Sequence, residues 1–287
     1  MDDTSTRVLT SSHEDAVLPL QPRDRVLIAR LARGAQGGLI DVATAGRLLG
    51  TTSRNAALKL AALTRRGWLR RARRGLYLIA PLEVEPGKQA GVEDPWVLAQ
   101  QAFSPCYIGG WSAAEHWGLT EQIFRSTVVV TAASVRSTKA TLLGQEFRLF
   151  RVPVTRMESI VSVWRGSHRV RVSSRERTII DSLRNPELCG GMRTVASILA
   201  EYSRRPEADI TELLTEARAA RSGAVWKRLG YLLELCWPQQ EAAIAEARQA
   251  ASSGVIRLDP NVAGKGKLQR RWSLWGNVRL GNDPFSE

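Results

Sequence analysis

The chain has 287 residues, of which 44% are hydrophobic, and it carries a formal net charge of +13 at pH 7. This length accommodates two domains of ordinary size, and the positive charge favours a polyanionic partner. The sequence contains no run of eighteen apolar residues, so we predict no membrane-spanning helix and no membrane partner. The acidic and polar start, Met1–Thr4, is unlike a secretory signal peptide.

The three cysteines, Cys106, Cys189 and Cys236, are far apart in the sequence and have neither CxxC nor Cys/His ligand spacing. This usage predicts a protein of the reducing cytoplasm without a disulfide framework or a structural zinc ion. Each cysteine is predicted to be a small core residue rather than a reactive thiol. We predict no metal site and no cofactor.

Most of the positive charge lies in residues 21–80, which contain thirteen arginines and lysines against two acids, a balance of +11. Residues 1–20 contain one arginine and four acids, and we predict that they form a flexible tail. A GC-rich genome would explain why the basic residues are mostly arginine, but it would not explain why they cluster. A field of this strength in about sixty residues is typical of a domain that neutralises phosphates.

Residues 21–80 also have the pattern of a winged helix-turn-helix. An amphipathic first helix is predicted over 23–33, and a second begins after the N-cap Asp41 and ends at Gly50. A tight turn, Thr51–Ser53, leads to a third helix over 54–66. That third helix is the predicted recognition helix. Its apolar face is predicted to consist of Ala56, Ala57, Leu60 and Leu63.

A basic β-hairpin is predicted directly after the recognition helix. One strand covers 68–70, a tight loop covers 71–75 and the returning strand covers 76–79, with four arginines at the tip. Such a wing lies along phosphates or in the minor groove, and the helix-turn-helix favours double-stranded DNA over RNA. The predicted DNA-binding residues are Thr52, Ser53, Arg54, Asn55, Lys59, Arg66, Arg70, Arg71, Arg73 and Arg74.

A linker rich in proline and glycine is predicted at 81–93, followed by an α+β domain at 94–287 that combines a small sheet with a helical layer. A capping box, Ser112 to Glu115, predicts that a helix begins at Ser112. The other predicted helices cover 94–103, 176–183 and 191–251, the last broken near residues 205, 222 and 237. The predicted strands cover 126–131, 146–152, 160–164 and 169–172, a stretch around Ile256, and 272–275.

Several segments of the second domain resemble the AbiEi antitoxins of abortive-infection toxin–antitoxin systems. The resemblance lies in residues 107–119 (YIGGWSAAEHWGL), 176–181 (ERTIID), 186–191 (PELCGG), 227–234 (KRLGYLLE), 258–260 (LDP) and 271–277 (RWSLWGN). It implies an N-terminal winged helix that represses its own operon and a C-terminal domain that antagonises a nucleotidyltransferase-like toxin encoded beside it. The resemblance leaves open whether antitoxin and toxin bind each other or oppose each other through a shared target.

No catalytic constellation is predicted. Ser112 and His116 are four residues apart on one helix, but no third orienting group is evident. Glu176 and Asp181 are predicted to lie on different helix faces. The Glu146-Phe-Arg148 segment lacks the upstream aspartate of a nuclease, and Gly264–Lys267 lacks P-loop spacing and is read as a flexible basic loop.

The C-terminal segment 255–281 contains six basic residues against one acid, a balance of +5. It could extend the DNA footprint, bind a nucleic acid that the toxin also targets, or dock on an acidic surface of the toxin. It could equally be a solvated charged edge that resists aggregation. The patch is defined by Lys265, Lys267, Arg270 and Arg271.

The sequence therefore favours an antitoxin without enzymatic activity that binds inverted repeats in its own promoter as a repressor. An alternative is a winged-helix protein that delivers a nuclease-like domain to DNA. A further alternative is a regulator whose α+β domain senses a small ligand.

Overall fold

A computed structural model describes residues 21–80 and 94–280. The chain divides into two compact units, 1–92 and 93–287. The predicted flexible tail (1–20) and the whole predicted linker (81–93) lie outside the described residues. No described helix is long and apolar enough to cross a membrane.

The first unit consists of α1 (Pro22–Ala32), β1 (Leu39–Asp41), α2 (Val42–Leu49), α3 (Ser53–Arg65), β2 (Leu69–Arg73) and β3 (Leu76–Ile79). Its strands form an antiparallel sheet in the order β1-β3-β2. The helices lie within a residue or two of their predicted positions, and the hairpin follows α3 as predicted, although β2 extends three residues past its predicted end. The strand β1 was not predicted, because three residues are too few to show a strand periodicity.

A compact core joins the helices of the first unit to its hairpin. Apolar side chains at helical spacing on α1 and α3 meet the inner side of the sheet, which explains why so short a segment folds. The buried residues include Ile28, Leu31, Ile40, Ala45, Ala56, Leu60, Leu63, Trp68, Leu69, Tyr77 and Ile79. Ala57, predicted on the buried face, is only partly buried.

The second unit is α+β. Its helices are α4 (Pro95–Phe103), α5 (Gly110–His116), α6 (Arg175–Arg184), α7 (Met192–Ser203), α8 (Ile210–Ala220), α9 (Gly223–Cys236) and α10 (Glu241–Ala250). Its strands are β4 (Cys106–Ile108), β5 (Thr127–Thr131), β6 (Lys139–Leu142), β7 (Gln145–Arg151), β8 (Ile160–Arg165), β9 (His168–Ser173), β10 (Ile256–Arg257), β11 (Lys267–Gln269) and β12 (Leu274–Gly276).

The main sheet of the second unit is mixed and has six strands in the order β6-β7-β5-β4-β9-β8. The strand β4 pairs antiparallel with β5 and parallel with β9, so it links the two halves of the sheet. Neither β4 nor β6 was predicted, and the sheet is larger than the small sheet expected. The helical breaks expected near residues 205, 222 and 237 are confirmed, since α7, α8, α9 and α10 are separated there.

The C-terminal segment forms a small sheet in the order β10-β12-β11. β11 and β12 pair antiparallel, with Lys267 opposite Gly276 and Gln269 opposite Leu274. The predicted flexible loop at 264–267 therefore ends in a strand at Lys267. Leu258, Trp272, Leu274 and Leu280 are buried in the same core cluster as the helices.

Candidate nucleic-acid interface and second-unit joints

The turn between α2 and α3 fixes the direction of α3, the predicted recognition helix. Asp41 caps α2 by accepting hydrogen bonds from the Thr44 backbone N–H (2.9 Å) and the Thr44 hydroxyl (2.7 Å). Gly50 ends α2 with φ +61°, a left-handed conformation that glycine adopts without strain. Thr52 then caps α3 by accepting a hydrogen bond from the Asn55 N–H (3.3 Å). The predicted cap Asp41 and the predicted terminator Gly50 are confirmed, and the cap of α3 lies within the predicted turn Thr51–Ser53.

One face of α3 is buried and the other is polar and exposed. Ala56, Leu60 and Leu63 are buried against the core, which leaves the predicted residues Ser53, Arg54, Asn55 and Lys59 exposed. Leu58 lies among them and is 63% exposed. An apolar side chain on this face was missed by the sequence reading. The predicted apolar face, which includes Ala56, Leu60 and Leu63, already places Leu58 on the opposite side of the helix.

Arg66 is engaged within the unit. Its guanidinium forms an ion pair with Asp24 of α1, which is itself buried. This ion pair ties the end of α3 to α1, so we leave Arg66 out of the proposed interface. The other acid of the unit, Asp41, is committed to its cap: burial acts to raise its pKa, but the hydrogen bonds from Thr44 outweigh burial and the pKa lies below its ordinary value.

The loop at the tip of the wing is shorter than predicted. The strand β2 extends through Arg73, with an irregularity in pairing between Arg71 and Arg73, and the turn consists of Arg74 and Gly75. The prediction that all four arginines form the hairpin tip is therefore wrong, because pairing of Arg71 with Tyr77 and of Arg73 with Leu76 continues the ladder. Arg71, Arg73 and Arg74 are exposed, whereas Arg70 is partly buried within β2.

Arg47 adds a cation that the sequence reading did not select. It is exposed on α2 and lines, with Gly46 and residues 50–53, a shallow depression of about 740 Å³ at the start of α3. Its guanidinium donates a hydrogen bond to the Thr44 hydroxyl (3.0 Å), which orients it beside the turn. The depression therefore combines a cation with the N-terminal end of α3.

In the second unit, the segments that resemble AbiEi antitoxins meet one another in pairs. The Tyr107 hydroxyl donates a hydrogen bond to Asp181 (2.7 Å), which joins the first segment to the second. Arg177 lies between Asp181 (3.0 Å) and Glu216 of α8 (3.4 Å), and it also donates to the Arg156 carbonyl (3.0 Å). Burial acts to lower the pKa of Arg177, but the neighbouring Asp181 carboxylate outweighs burial, so the pKa lies above its ordinary value. The guanidinium therefore stays charged.

Two other pairs of segments meet through glycines. Gly110 has φ +53°, and a Cβ there would lie 2.2 Å from the Leu188 carbonyl oxygen. In α9, a Cβ at Gly230 would lie 2.0 Å from the Trp272 ring, whose indole N–H donates to Glu234 (2.6 Å). These close approaches need glycine, so the glycines serve packing.

The segment 258–260 is joined to the start of α7. The buried Asp259 carboxylate accepts a hydrogen bond from the Met192 N–H (2.8 Å), directly after Gly191. Arg228 of α9 donates to the Leu183 (2.8 Å) and Arg257 (3.1 Å) carbonyls. The segments that resemble AbiEi antitoxins therefore make the contacts that hold the helices and strands of the second unit together. The sequence alone did not show this role, because the segments are far apart along the chain.

The candidate nucleophile and base are both committed elsewhere. α5 begins after Gly109, so Ser112 is inside the helix and the predicted capping role is wrong. Its buried hydroxyl accepts a hydrogen bond from the Val128 N–H of β5 (3.0 Å). The His116 ring packs edge-on against Trp96 (5.4 Å) and Trp117 (4.6 Å), and burial together with nearby arginines lowers its pKa.

The remaining candidates also have structural surroundings. Arg148 pairs with Glu187 (2.5 Å). Glu176 accepts from the Tyr202 hydroxyl (2.7 Å), so it and Asp181 belong to separate contacts, as predicted. Cys106 and Cys189 are buried, and burial raises the pKa of each thiol to about 12. Cys236 is partly buried, and its pKa is raised to about 11. Within the described residues, no cluster of His, Cys, Asp and Glu could hold a metal ion.

The basic C-terminal patch is only partly available to a partner. Arg271 forms an ion pair with Glu234 (2.8 Å), and the Lys265 ammonium lies 5.5 Å from the centre of the Trp275 ring. Lys267 at the start of β11 and Arg270 in the following turn are exposed, as are Lys265 and Arg271. The patch is thus an exposed surface in which Arg271 also anchors the tail to α9.

Comparison with known proteins agrees with this description. Residues 107–235 match the family model of the AbiEi antitoxin C-terminal domain. No curated protein shows significant sequence similarity to the chain. The fold resembles the crystal structure of the RV2827C protein from Mycobacterium tuberculosis, with a TM-score of 0.57 and 16% sequence identity over 86% of this chain and 89% of that chain. At this identity the likeness concerns the fold alone. Residues 107–235 of the second unit are therefore similar to the C-terminal domain of the AbiEi antitoxins.

Proposed function

We propose that the chain is a DNA-binding transcriptional autorepressor and the antitoxin of a toxin–antitoxin operon. The antitoxin role is supported by the match of residues 107–235 to the AbiEi antitoxin C-terminal domain. The observation that carries the DNA-binding role is the exposed surface of the first unit. There, one face of α3 and the wing bear cations, while both acids of residues 21–80 are engaged in internal contacts.

The parts of this surface suit different parts of a DNA duplex. The first turns of α3 carry Arg54, Asn55 and Lys59, which can reach base edges in the major groove. The wing arginines Arg73 and Arg74 suit phosphates or a narrow minor groove. Arg47 and the N-terminal end of α3 suit a further phosphate. Double-stranded DNA is favoured over RNA, because the deep major groove of RNA does not admit a helix.

The target is expected to be an inverted repeat in the protein's own promoter. Binding should weaken about 10³- to 10⁵-fold between 50 and 200 mM salt, if about six to ten phosphates are contacted. Fluorescence anisotropy with promoter DNA and scrambled DNA of the same length measures both properties. Equal affinity for the two DNAs at every salt concentration would contradict the autorepressor proposal, although it would not contradict DNA binding itself.

The second unit is proposed to antagonise a nucleotidyltransferase-like toxin without catalysing a reaction. The hydroxyl of Ser112 and the ring of His116 serve internal contacts, which favours a binding role over an enzymatic one. The antagonism would act through the toxin itself or through a nucleic acid that both proteins bind. The exposed patch Lys265, Lys267 and Arg270 is the surface proposed to meet either target.

The antitoxin role can be tested by growth of cells that express the toxin encoded in the same operon. Residues 94–287 are expected to restore growth, whereas residues 1–86 are not. The triple variant with Lys265, Lys267 and Arg270 changed to Ala should rescue less well, and Arg271 is kept because it anchors the tail to Glu234. The same three-charge removal at the exposed residues Arg25, Arg204 and Arg221 is the control. Full rescue by the triple variant would indicate that the patch is a solvated charged edge that contacts neither the toxin nor its target.

A further inference from the structure

The strand β8 is one edge of the six-stranded sheet. In the part of the chain that the structure describes, β8 pairs only with β9, and it is the last strand in the sheet order. Its sequence, Ile-Val-Ser-Val-Trp-Arg, is rich in β-branched and aromatic residues and has no charge before Arg165. The opposite edge, β6, is only four residues long and begins with the exposed Lys139, a residue type that discourages edge pairing.

Apart from Ser162, the exposed side chains of β8 are apolar. Trp164 is 63% exposed and Val161 is 37% exposed. The cations beside them are engaged within the chain: the Arg169 guanidinium lies 4.9 Å from the centre of the Trp164 ring, and Arg165 binds Asp94 (2.6 Å). The edge therefore presents apolar side chains beside a backbone that can pair with another strand.

We propose that β8 is the surface through which two copies of this chain pair, edge to edge and antiparallel, into one continuous sheet. A two-fold axis perpendicular to the sheet keeps each face continuous, so residues of the same face become neighbours. A register centred on Ser162 places Ile160 opposite Trp164 of the second copy. It also places Val161 opposite Val163. Every pair beside the central serines is then apolar, which stabilises an antiparallel ladder.

Comparison with a second register, and the distance between like charges, both favour the register centred on Ser162. A register centred on Val163 would place Val161 opposite Arg165 and Ser162 opposite Trp164. The apolar pairs Val161–Val163 and Ile160–Trp164 would then be lost. Arg171 lies opposite Ser162 on β9, so in the Ser162 register the two Arg171 residues are three strand spacings apart. This is about 14 Å, and it exceeds the screening length of about 8 Å at physiological salt. Repulsion across the axis is therefore weak.

Such a dimer would supply the second recognition helix that an inverted repeat requires. This consequence rests on the proposed function, whereas the pairing of β8 with β8 does not. The pairing can therefore be measured without DNA, and the two proposals can fail separately.

The first test is sedimentation equilibrium of the full-length chain without DNA. The wild-type chain is expected to dimerise, and Val161→Lys should raise the dimer dissociation constant at least tenfold, because it places a lysine opposite Val163 on both sides of the axis. Thr141→Lys adds the same charge to the opposite edge at an exposed position of β6 and should leave the constant unchanged. A monomeric wild-type chain, or a dimer indifferent to Val161→Lys, would overturn the proposal.

Crosslinking tests the register. Ser162→Cys places a thiol on the two-fold axis, so a short bismaleimide should convert this variant to a covalent dimer, while Thr141→Cys should stay monomeric. Equal crosslinking of the two variants would contradict the pairing. If the chain stayed monomeric alone and Val161→Lys abolished binding to the toxin, β8 would take a strand of the toxin and not of a second copy. If Val161→Lys abolished dimerisation and the wild-type dimer did not bind promoter DNA, the autorepressor proposal would be contradicted. The proposed β8 interface would still be supported.

Discussion

Replacing Arg177 by alanine is expected to lower the free energy of unfolding of the second unit by about 3–5 kcal/mol. The side chain is 7% exposed and lies between the carboxylates of Asp181, 14% exposed, and Glu216, 2% exposed. Its removal would leave two carboxylates without their cation, and it would also leave the Arg156 carbonyl without its donor. Urea denaturation followed by tryptophan fluorescence measures the change.

The matched control is Arg204→Ala. Arg204 is 69% exposed and lies 3.7 Å from Glu201, so its loss should change the free energy of unfolding by less than about 1 kcal/mol. A loss of less than about 1 kcal/mol for Arg177→Ala as well would show that the buried charges rearrange without cost. The joint between α6 and α8 would then not depend on this cation.

Substitutions in α3 are expected to change the sequence preference of DNA binding, whereas substitutions in the wing should weaken binding to all sequences alike. Arg54→Ala or Asn55→Ala should cost about 1–3 kcal/mol on the promoter and little on scrambled DNA, because these residues lie where base edges are reached. Arg73→Ala or Arg74→Ala should each reduce the salt slope by about one, since each removes a phosphate contact. Binding titrations on both DNAs at several salt concentrations separate the two effects.

Two controls make this division sharper. Arg25→Ala removes the same charge from an exposed position of α1 and should affect neither preference nor slope strongly. Leu58, which is 63% exposed on α3, suits contact with a thymine methyl group. Replacing thymine by uracil in the promoter should therefore weaken the wild-type protein more than Leu58→Ala. If wing substitutions altered preference while α3 substitutions did not, the two elements would have been assigned the wrong way round.

Sequence patterns predicted the elements whose signals are local. Asp41 and Gly50 were placed correctly because a cap or a left-handed terminator depends on a few neighbouring residues. The boundaries of α6 to α10 were foreseeable for the same reason, since their periodicity is broken at proline and glycine. The short strands β1 and β4 were missed, because three residues acquire a strand conformation only from the strands beside them.

By itself, the sequence determined that one basic unit precedes an α+β unit, where most helices and strands run, and that the second unit resembles the AbiEi antitoxins. Charge, periodicity and local capping are properties of contiguous residues, so they can be read along the chain. Only the tertiary structure decided that Arg66 pairs with Asp24, that Ser112 serves β5, and that Gly230 accommodates Trp272. Each of these contacts joins residues far apart in sequence, and whether a side chain is free or committed depends on which partners the fold brings within bonding distance.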